Sequence, residues 1–220
     1  MNTNITIILT STVNVNRNKS HLFQTDKNER IQTYVKSVRQ WLRKTNFKII
    51  LVENSGYNYD ELRTARYVYD GRFEILTFTE NELEGAQYLK TSTSKGSSEI
   101  FAINYAFLHS KLINNLTFII KITARYYIPE FEEYLSKYDL NVYDCLTQYD
   151  RDRCEMVGSH YKNFGFIFNK NLTDKNNRWN GHVEEVWKER TSQCKQILIC
   201  KKFQIEPTQR GGVKWVYDDI

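Results

Sequence analysis

Apolar and polar positions along the chain switch between two periods, and the order of the switches predicts a layered α/β protein. Residues Ile5 to Val15, rich in Ile, Thr and Val, read as a first strand that carries the polar run Thr10-Ser11-Thr12 towards its end. From Asp26 the period becomes helical: Ile31, Tyr34, Val35, Val38, Trp41 and Leu42 fall on one face, and Asp26 with Glu29 makes a capping-box pattern. This helix is expected to end near Asn46. Phe47 to Val52 is a continuous apolar run, as a strand covered on both faces requires, and it leads directly into Glu53-Asn54-Ser55-Gly56. Strand, helix and strand of these lengths predict a right-handed parallel crossover. A short helix over Asp60 to Tyr67 and a strand over Phe73 to Phe78 complete a β-α-β-α-β half.

After a polar stretch, Lys95-Gly96-Ser97-Ser98-Glu99 opens a helix with Ile100, Ile103, Phe107 and Leu108 at helical spacing. The Gly-Ser-Ser opening reads as an N-cap, and helix N-termini attract phosphate. The next strand runs from Phe118 to Tyr127. Alternation puts Lys121, Thr123 and Arg125 on one side and Ile120, Ile122 and Ala124 on the other. Two readings fit that side: an anion-binding strand end at the sheet's carboxyl edge, or an edge strand kept soluble by its cations. Its place after a β-α-β-α-β half favours a central strand. Pro129 is expected to start a helix with Phe131, Tyr134 and Leu135 inward. Strands are expected over Asn141 to Thr147, over Glu155 to Asn169 with a bend or hairpin at Gly158 and Gly165, and over Ile197 to Ile205. Asn180-Gly181 reads as a turn, and His182 to Cys194 as a helix with Val183, Val186 and Trp187 inward.

Composition narrows the classes. The 220 residues are 40% hydrophobic, 14% aromatic and 26% charged, a globular profile far from disorder. The longest apolar run is strand-sized, and no basic segment followed by a long apolar core opens the chain, so neither a membrane span nor a secretory signal is expected. Cys145, Cys154, Cys194 and Cys200 lack Cys-x-x-Cys spacing and read as reduced thiols of a cytoplasmic protein. The formal charge of +5 favours anionic partners, although Lys and Arg are dispersed along the sequence. No Gly-x-Gly-x-x-Gly follows the first strand, which argues against a dinucleotide fingerprint.

The order of parts resembles glycosyltransferases of the GT-A fold. The sharpest local match is Lys121-Ile122-Thr123-Ala124-Arg125-Tyr126, similar to the Lys-x-Thr-Gly-Arg-Tyr segment of bacterial and virus-encoded members, with Ala124 in place of glycine. The resemblance implies one α/β domain over residues 1–220. Residues 1–128 would form a Rossmann-like, nucleotide-sugar-binding half on a mostly parallel central sheet flanked by helices, and 129–220 a mixed acceptor-binding half. It implies a cytoplasmic location, in host cytoplasm if the gene is viral. By position it sets Thr10, Ser11 and Thr12 beside the nucleotide, Glu53, Asn54 and Ser55 near base or ribose, and Lys95 and Gly96 near the diphosphate.

Many members end the equivalent central strand in Asp-x-Asp, which holds a divalent cation against the diphosphate. This strand has no such motif. Lys121, Arg125 and Arg210, the last expected on a mobile tail, are therefore the candidates to offset the leaving group's charge with no metal cofactor, Arg by its bidentate fork. A weak alternative, with Mn or Mg, is Asp150-Arg151-Asp152. The acidic pair in His182-Val183-Glu184-Glu185 resembles the segment carrying the catalytic base of inverting members, with Glu185 slightly preferred over Glu184. Acidic residues also suit a helix's first turn for dipole reasons alone. Tyr126, His160 and His182 are acceptor-side candidates, and Tyr127, Tyr161 and Trp179 further sugar-stacking ones. The activity implied is transfer of a sugar from a UDP-, GDP- or similar donor to a glycan or glycoprotein. The alternatives are an inactive domain of this fold that binds carbohydrate or protein, and a nucleic-acid-binding protein.

Overall fold

The computed structural model describes residues 4–173, 182–212 and 214–220. Trp179 and the Asn180-Gly181 turn lie outside the described residues. The chain runs β1 (Asn4–Ser11), α1 (Lys27–Lys44), β2 (Lys48–Glu53), α2 (Arg63–Val68), β3 (Phe73–Thr77), α3 (Lys95–His109), β4 (Thr117–Thr123) and α4 (Phe131–Leu135). It continues with β5 (Cys145–Thr147), β6 (Met156–His160), α5 (Phe164–Ile167), α6 (Val183–Ser192), β7 (Ile197–Ile199), β8 (Gln204–Gln209) and β9 (Val216–Asp219). Seven strands form one sheet in the order β3-β2-β1-β4-β6-β5-β7, and β8 and β9 form a separate hairpin.

The sheet is parallel from β3 to β4, as the apolar runs predict, and β6 enters it antiparallel to both β4 and β5. Ile7, Ile8 and Leu9 of β1 are all fully buried because helices cover both faces. One layer is α1, α2 and α4, with Tyr34, Val38, Trp41, Leu62 and Phe131 in its core. The other is α3, α5 and α6, with Ile100, Ile103, Phe164 and Trp187. Helix α1 starts where expected: the Asp26 carboxylate accepts the Glu29 N–H at 2.8 Å.

Several boundaries move for identifiable reasons. Strand β1 stops at Ser11, so Thr10 and Ser11 of the polar run end the strand and the chain leaves the sheet at Thr12. The cap of α3 is Ser94, whose hydroxyl accepts the Ser97 N–H at 3.1 Å, so Gly96 and Ser97 belong to the first turn. The segment from Glu155 is one strand followed by helical turns that include Gly165. Gly158 makes no bend; a Cβ there would meet Phe118 at 3.0 Å and Leu146 at 3.1 Å, so it lets strands and side chains pack closely. The stretch from Asn141 begins as a helical turn and is a strand only from Cys145. Ile197 to Ile205 is two strands in different sheets, divided at 200–203. Strand β4 is the fourth of seven, which removes the edge-strand reading of its cations.

Candidate functional site

The polar ends of β1, β2 and β4 meet at the carboxyl edge of the parallel strands and line a cavity of about 610 Å³. Its floor is Thr10, Ser11 and Thr12 at the end of β1, Asn54 and Ser55 after β2, and Thr123, Arg125 and Tyr126 at the end of β4. One wall is the first turn of α3 with Lys95 and Gly96, and another the start of α6 with His182, Val183 and Glu184. Gly96 has a packing reason: a Cβ there would lie 2.7 Å from that of Val183, so the glycine lets α3 and α6 approach. The roof is the loop at 19–22 together with Arg210, Gly211 and Gly212 at the end of β8.

The strand alternation at β4 holds only as far as Thr123, after which the chain turns. Lys121 and Arg125 therefore part company. Lys121 points into the layer under α3 and α6, fully buried, and its ammonium lies 2.8 Å from the Glu99 carboxylate and donates to the Cys154 carbonyl at 2.7 Å. Burial is the largest single influence and disfavours that ammonium, but the charge and hydrogen bond of Glu99, with Cys154 and Glu155, together outweigh it and hold its pKa above the ordinary lysine value. Lys121 does not line the cavity. Its expected contact with a nucleotide-sugar is corrected to an internal ion pair, because α3 and α6 cover the face it occupies.

Arg125 reaches the opposite way, under the roof. One guanidinium nitrogen donates to the Gln24 side chain at 2.8 Å and to the Gln209 carbonyl at 3.1 Å, and the group lies over the Tyr34 ring. Arg30 of α1 stands nearby, donating to the carbonyls of Thr12 and Gln24 and to the Tyr34 hydroxyl. Burial lowers its pKa. Lys95 donates to the His21 carbonyl at 2.8 Å; burial lowers its pKa while Glu184 raises it. Arg210, expected on a mobile tail, is instead built into the hairpin. Its Nε lies 3.3 Å from Glu155, and Nη1 donates to the Tyr217 hydroxyl at 3.0 Å.

The two glycines of the roof touch these cations. A Cβ on Gly211 would stand 2.5 Å from a terminal nitrogen of Arg125, and one on Gly212 would stand 2.7 Å from the Lys95 ammonium. Gly211→Ala is thus expected to displace the Arg125 fork or the roof itself. Anion affinity should fall about tenfold, the scale of one lost charge-assisted hydrogen bond, with stability little changed. Titration with nucleoside diphosphates beside a urea melt measures both.

Other expected site residues are placed elsewhere. Glu53 is fully buried and accepts the N–H groups of Val13, Ser55 and Tyr57 and the Ser55 hydroxyl. It organises the loops behind the cavity and has no surface on it, so its reading as a base or ribose contact is corrected. Burial raises its pKa against those hydrogen bonds. His160 lies beside Phe118, at the amino end of β4, because β6 runs antiparallel. It accepts the Lys162 N–H at 3.3 Å, far from the cavity, and the acceptor-side reading is corrected. Tyr127 packs edge-on against Trp41 in the core, and Tyr161 packs near Phe107. Asp150 and Asp152 form a turn between β5 and β6, where Asp152 pairs with Lys188. Glu184 lines the cavity, whereas Glu185 is exposed and does not line it. Tyr126 lines it with a ring almost wholly buried, its hydroxyl unpartnered among the described residues.

Sequence reasoning missed three carboxylates in the cavity, Glu80, Glu155 and the Glu99 already described as the partner of Lys121. Glu80 accepts hydrogen bonds from Asn54 at 2.5 Å and Ser98 at 3.1 Å, and burial raises its pKa. Glu155 holds Arg210 and Arg153, and Arg153 in turn holds Asp219 at 2.8 Å, which ties the hairpin to the sheet. The available signal was positional: Glu80 follows β3 at the carboxyl edge, and Glu155 begins an antiparallel neighbour of β4.

No protein-family model matches the chain, and no curated protein matches it in sequence. Solved structures do. The glycosyltransferase GlyE of Streptococcus pneumoniae TIGR4 aligns with a TM-score of 0.54 at 10% identity, over 90% of this chain and 45% of that one. The galactosyltransferase LgtC, solved in complex with donor and acceptor sugar analogues, aligns with a TM-score of 0.50 at 8% identity, over 89% of this chain and 73% of that one. The chain thus spans less than half the length of GlyE. The fold is GT-A-like, a seven-stranded, mostly parallel sheet flanked by helices with a small antiparallel hairpin.

Proposed function

We propose that the protein is a glycosyltransferase that takes a sugar from a nucleotide-sugar donor with inversion, and that cationic side chains stand in for a metal ion. The observation that carries this reading is the convergence of Lys95, Arg125 and Arg210 around one cavity at the carboxyl edge of a GT-A-like sheet, with Glu184 on its wall. When the glycosidic bond of the donor breaks, both bonding electrons leave with the nucleoside diphosphate, and fixed cations lower the energy of that charge. Base and ribose would face Thr12, Asn54 and Glu80. The acceptor hydroxyl would attack the sugar carbon as Glu184 takes its proton. Tyr126 and His182 would line the acceptor side, where a glycan or glycoprotein would enter.

The metal-free reading draws support from the state of the carboxylates. Among the described residues no group of three His, Cys, Asp or Glu side chains is placed to hold one. Glu99 and Glu155 in the cavity are each already paired with a buried or half-buried cation.

Thermal-shift measurements with UDP, GDP, CMP and their sugars test the reading. One nucleotide at 100-fold its dissociation constant should stabilise the fold by about 2.7 kcal/mol, roughly 5–10 °C for a chain of this size. Arg125→Ala should abolish most of that shift, and manganese should not restore it. A full shift in the variant, or a strict requirement for manganese, would sink the proposal. Binding without transfer to any glycan would leave a carbohydrate-binding domain of the same fold.

A further inference from the structure

Helix α1 has one face in the core and one outside, and the outer face gathers charge that is scattered in the sequence. Lys27, Lys36, Arg39, Arg43 and Lys44 line a groove of about 880 Å³ in which, among the described residues, Glu61 is the one acidic lining residue. Those five side chains are exposed, and their counter-charge is thin. Lys36 meets Glu206 in a surface pair, Arg39 donates to the Glu61 backbone carbonyl at 2.9 Å, and Lys27 and Lys44 rest over tyrosine rings. The neighbouring α2 extends the face. The turn before it is tied to α1 by the Arg39 bond to Glu61, and the turn after it by Arg72, which donates to the Leu42 and Thr45 carbonyls. Its outer side presents Arg63 and Arg66 beside Tyr67 and Val68, which are 86% and 63% exposed.

We propose that this face docks on an anionic lipid bilayer, with the α1 and α2 cations on headgroup phosphates and Tyr67 and Val68 in the headgroup–acyl boundary. Charge complementarity sets the partner's sign. The apolar pair selects a bilayer over nucleic acid, because an aliphatic side chain beside a tyrosine enters a membrane interface and gives nothing to base stacking. Lysine and arginine stems can also lie along the boundary with their heads in water. Arg30, one turn from Lys27, lines the cavity from the inner side of the same helix, so the docked face adjoins the cavity. The inference stands independently of the proposed transfer reaction.

Co-sedimentation of the full chain with vesicles tests it. Binding is expected to vesicles of phosphatidylcholine with 30 mol% phosphatidylglycerol, taken here as roughly the anionic fraction that gives a leaflet its surface potential, and not to phosphatidylcholine alone. It should weaken steeply with salt. The triple variant Lys36→Gln, Arg39→Gln, Arg43→Gln should partition on the order of 100-fold less. Tyr67→Ser with Val68→Ser should lose about tenfold while remaining dependent on anionic lipid. Circular-dichroism melts of the Tyr67→Ser, Val68→Ser variant should match the parent, and those of the triple variant should fall only slightly, since Arg39 gives up one bond to the exposed Glu61 backbone while the fold's core is untouched. Binding that ignores lipid charge, triple-variant binding equal to the parent's, or capture of duplex DNA with no binding to vesicles would each overturn the proposal.

Discussion

Replacing Lys121 by methionine is expected to cost about 3 kcal/mol of folding stability, at the low end for a broken buried ion pair because Glu99 keeps 21% of its side chain exposed. The ammonium is the shared donor of a small internal network. It meets Glu99 at 2.8 Å, the Cys154 carbonyl at 2.7 Å and Thr123 at 3.3 Å, and it sits 5.1 Å from the centre of the Trp187 ring. Methionine fills much of the volume but donates nothing. Among the described residues Glu99 would keep the Thr10 hydroxyl at 2.8 Å as its hydrogen-bond donor, and the Cys154 carbonyl would be left buried without the Lys121 donor. Adding Glu99→Leu should recover much of the loss, since removing both charges costs less than removing one. Urea melts of the single and double variants decide this. A Lys121→Met midpoint within about 0.5 kcal/mol of the parent would show that the pair does not hold the layer together.

The same pair has a pH signature with a definite sign. Burial pulls the Lys121 pKa down, Glu99 with the weaker contributions of Cys154 and Glu155 together push it up by more, and the folded value ends above the ordinary 10.5. A raised lysine pKa stabilises the fold fully below the unfolded value and loses that contribution as pH rises through the folded one. The parent should accordingly lose this part of its stability only in strongly alkaline solution, and Lys121→Met should lack that limb of the profile.

Lys121 also shows where sequence reasoning stops. Alternation correctly separated Lys121 from Ile120 and Ile122, since that is a local property of a strand. Whether the polar side met solvent, ligand or another helix depended on α3 and α6, whose Glu99 and Trp187 come from elsewhere in the chain. The β-α-β-α-β half was legible for the opposite reason: its continuous apolar strands and the Asp26 cap are encoded within a few residues of each element. His160 was assigned to the wrong end of the sheet because nothing in Met156–His160 tells a parallel strand from an antiparallel one. The same reversal brings Glu155 to the cavity. Arg210 looked mobile because the tail lacks a long periodic run, yet Glu155, Arg153 and Asp219 hold it through charges far apart in sequence.

The largest effect on chemistry is expected from Glu184→Gln, which should lower the rate of sugar transfer by roughly 100-fold or more, the usual worth of a positioned general base. The amide keeps the size of the side chain and removes its capacity to take a proton. Helix α6 presents Glu184 to the cavity while Glu185, one residue on, points about 100° around the helix axis and is exposed. Glu185→Gln should therefore leave the rate within about twofold, a surface change of little consequence. Donor affinity should barely change in either variant, because the diphosphate is proposed to be held by Lys95, Arg125 and Arg210. The relevant measurement is release of nucleoside diphosphate from the sugar donor found by thermal shift, in the presence of acceptor, with the donor dissociation constant determined separately. A loss confined to kcat assigns the proton transfer to Glu184. Equal losses in kcat and donor binding would instead point to its charge on Lys95, which feels Glu184 directly. An unchanged rate in Glu184→Gln with a collapse in Glu185→Gln would return the base to the exposed neighbour, and would require α6 to turn when donor and acceptor bind.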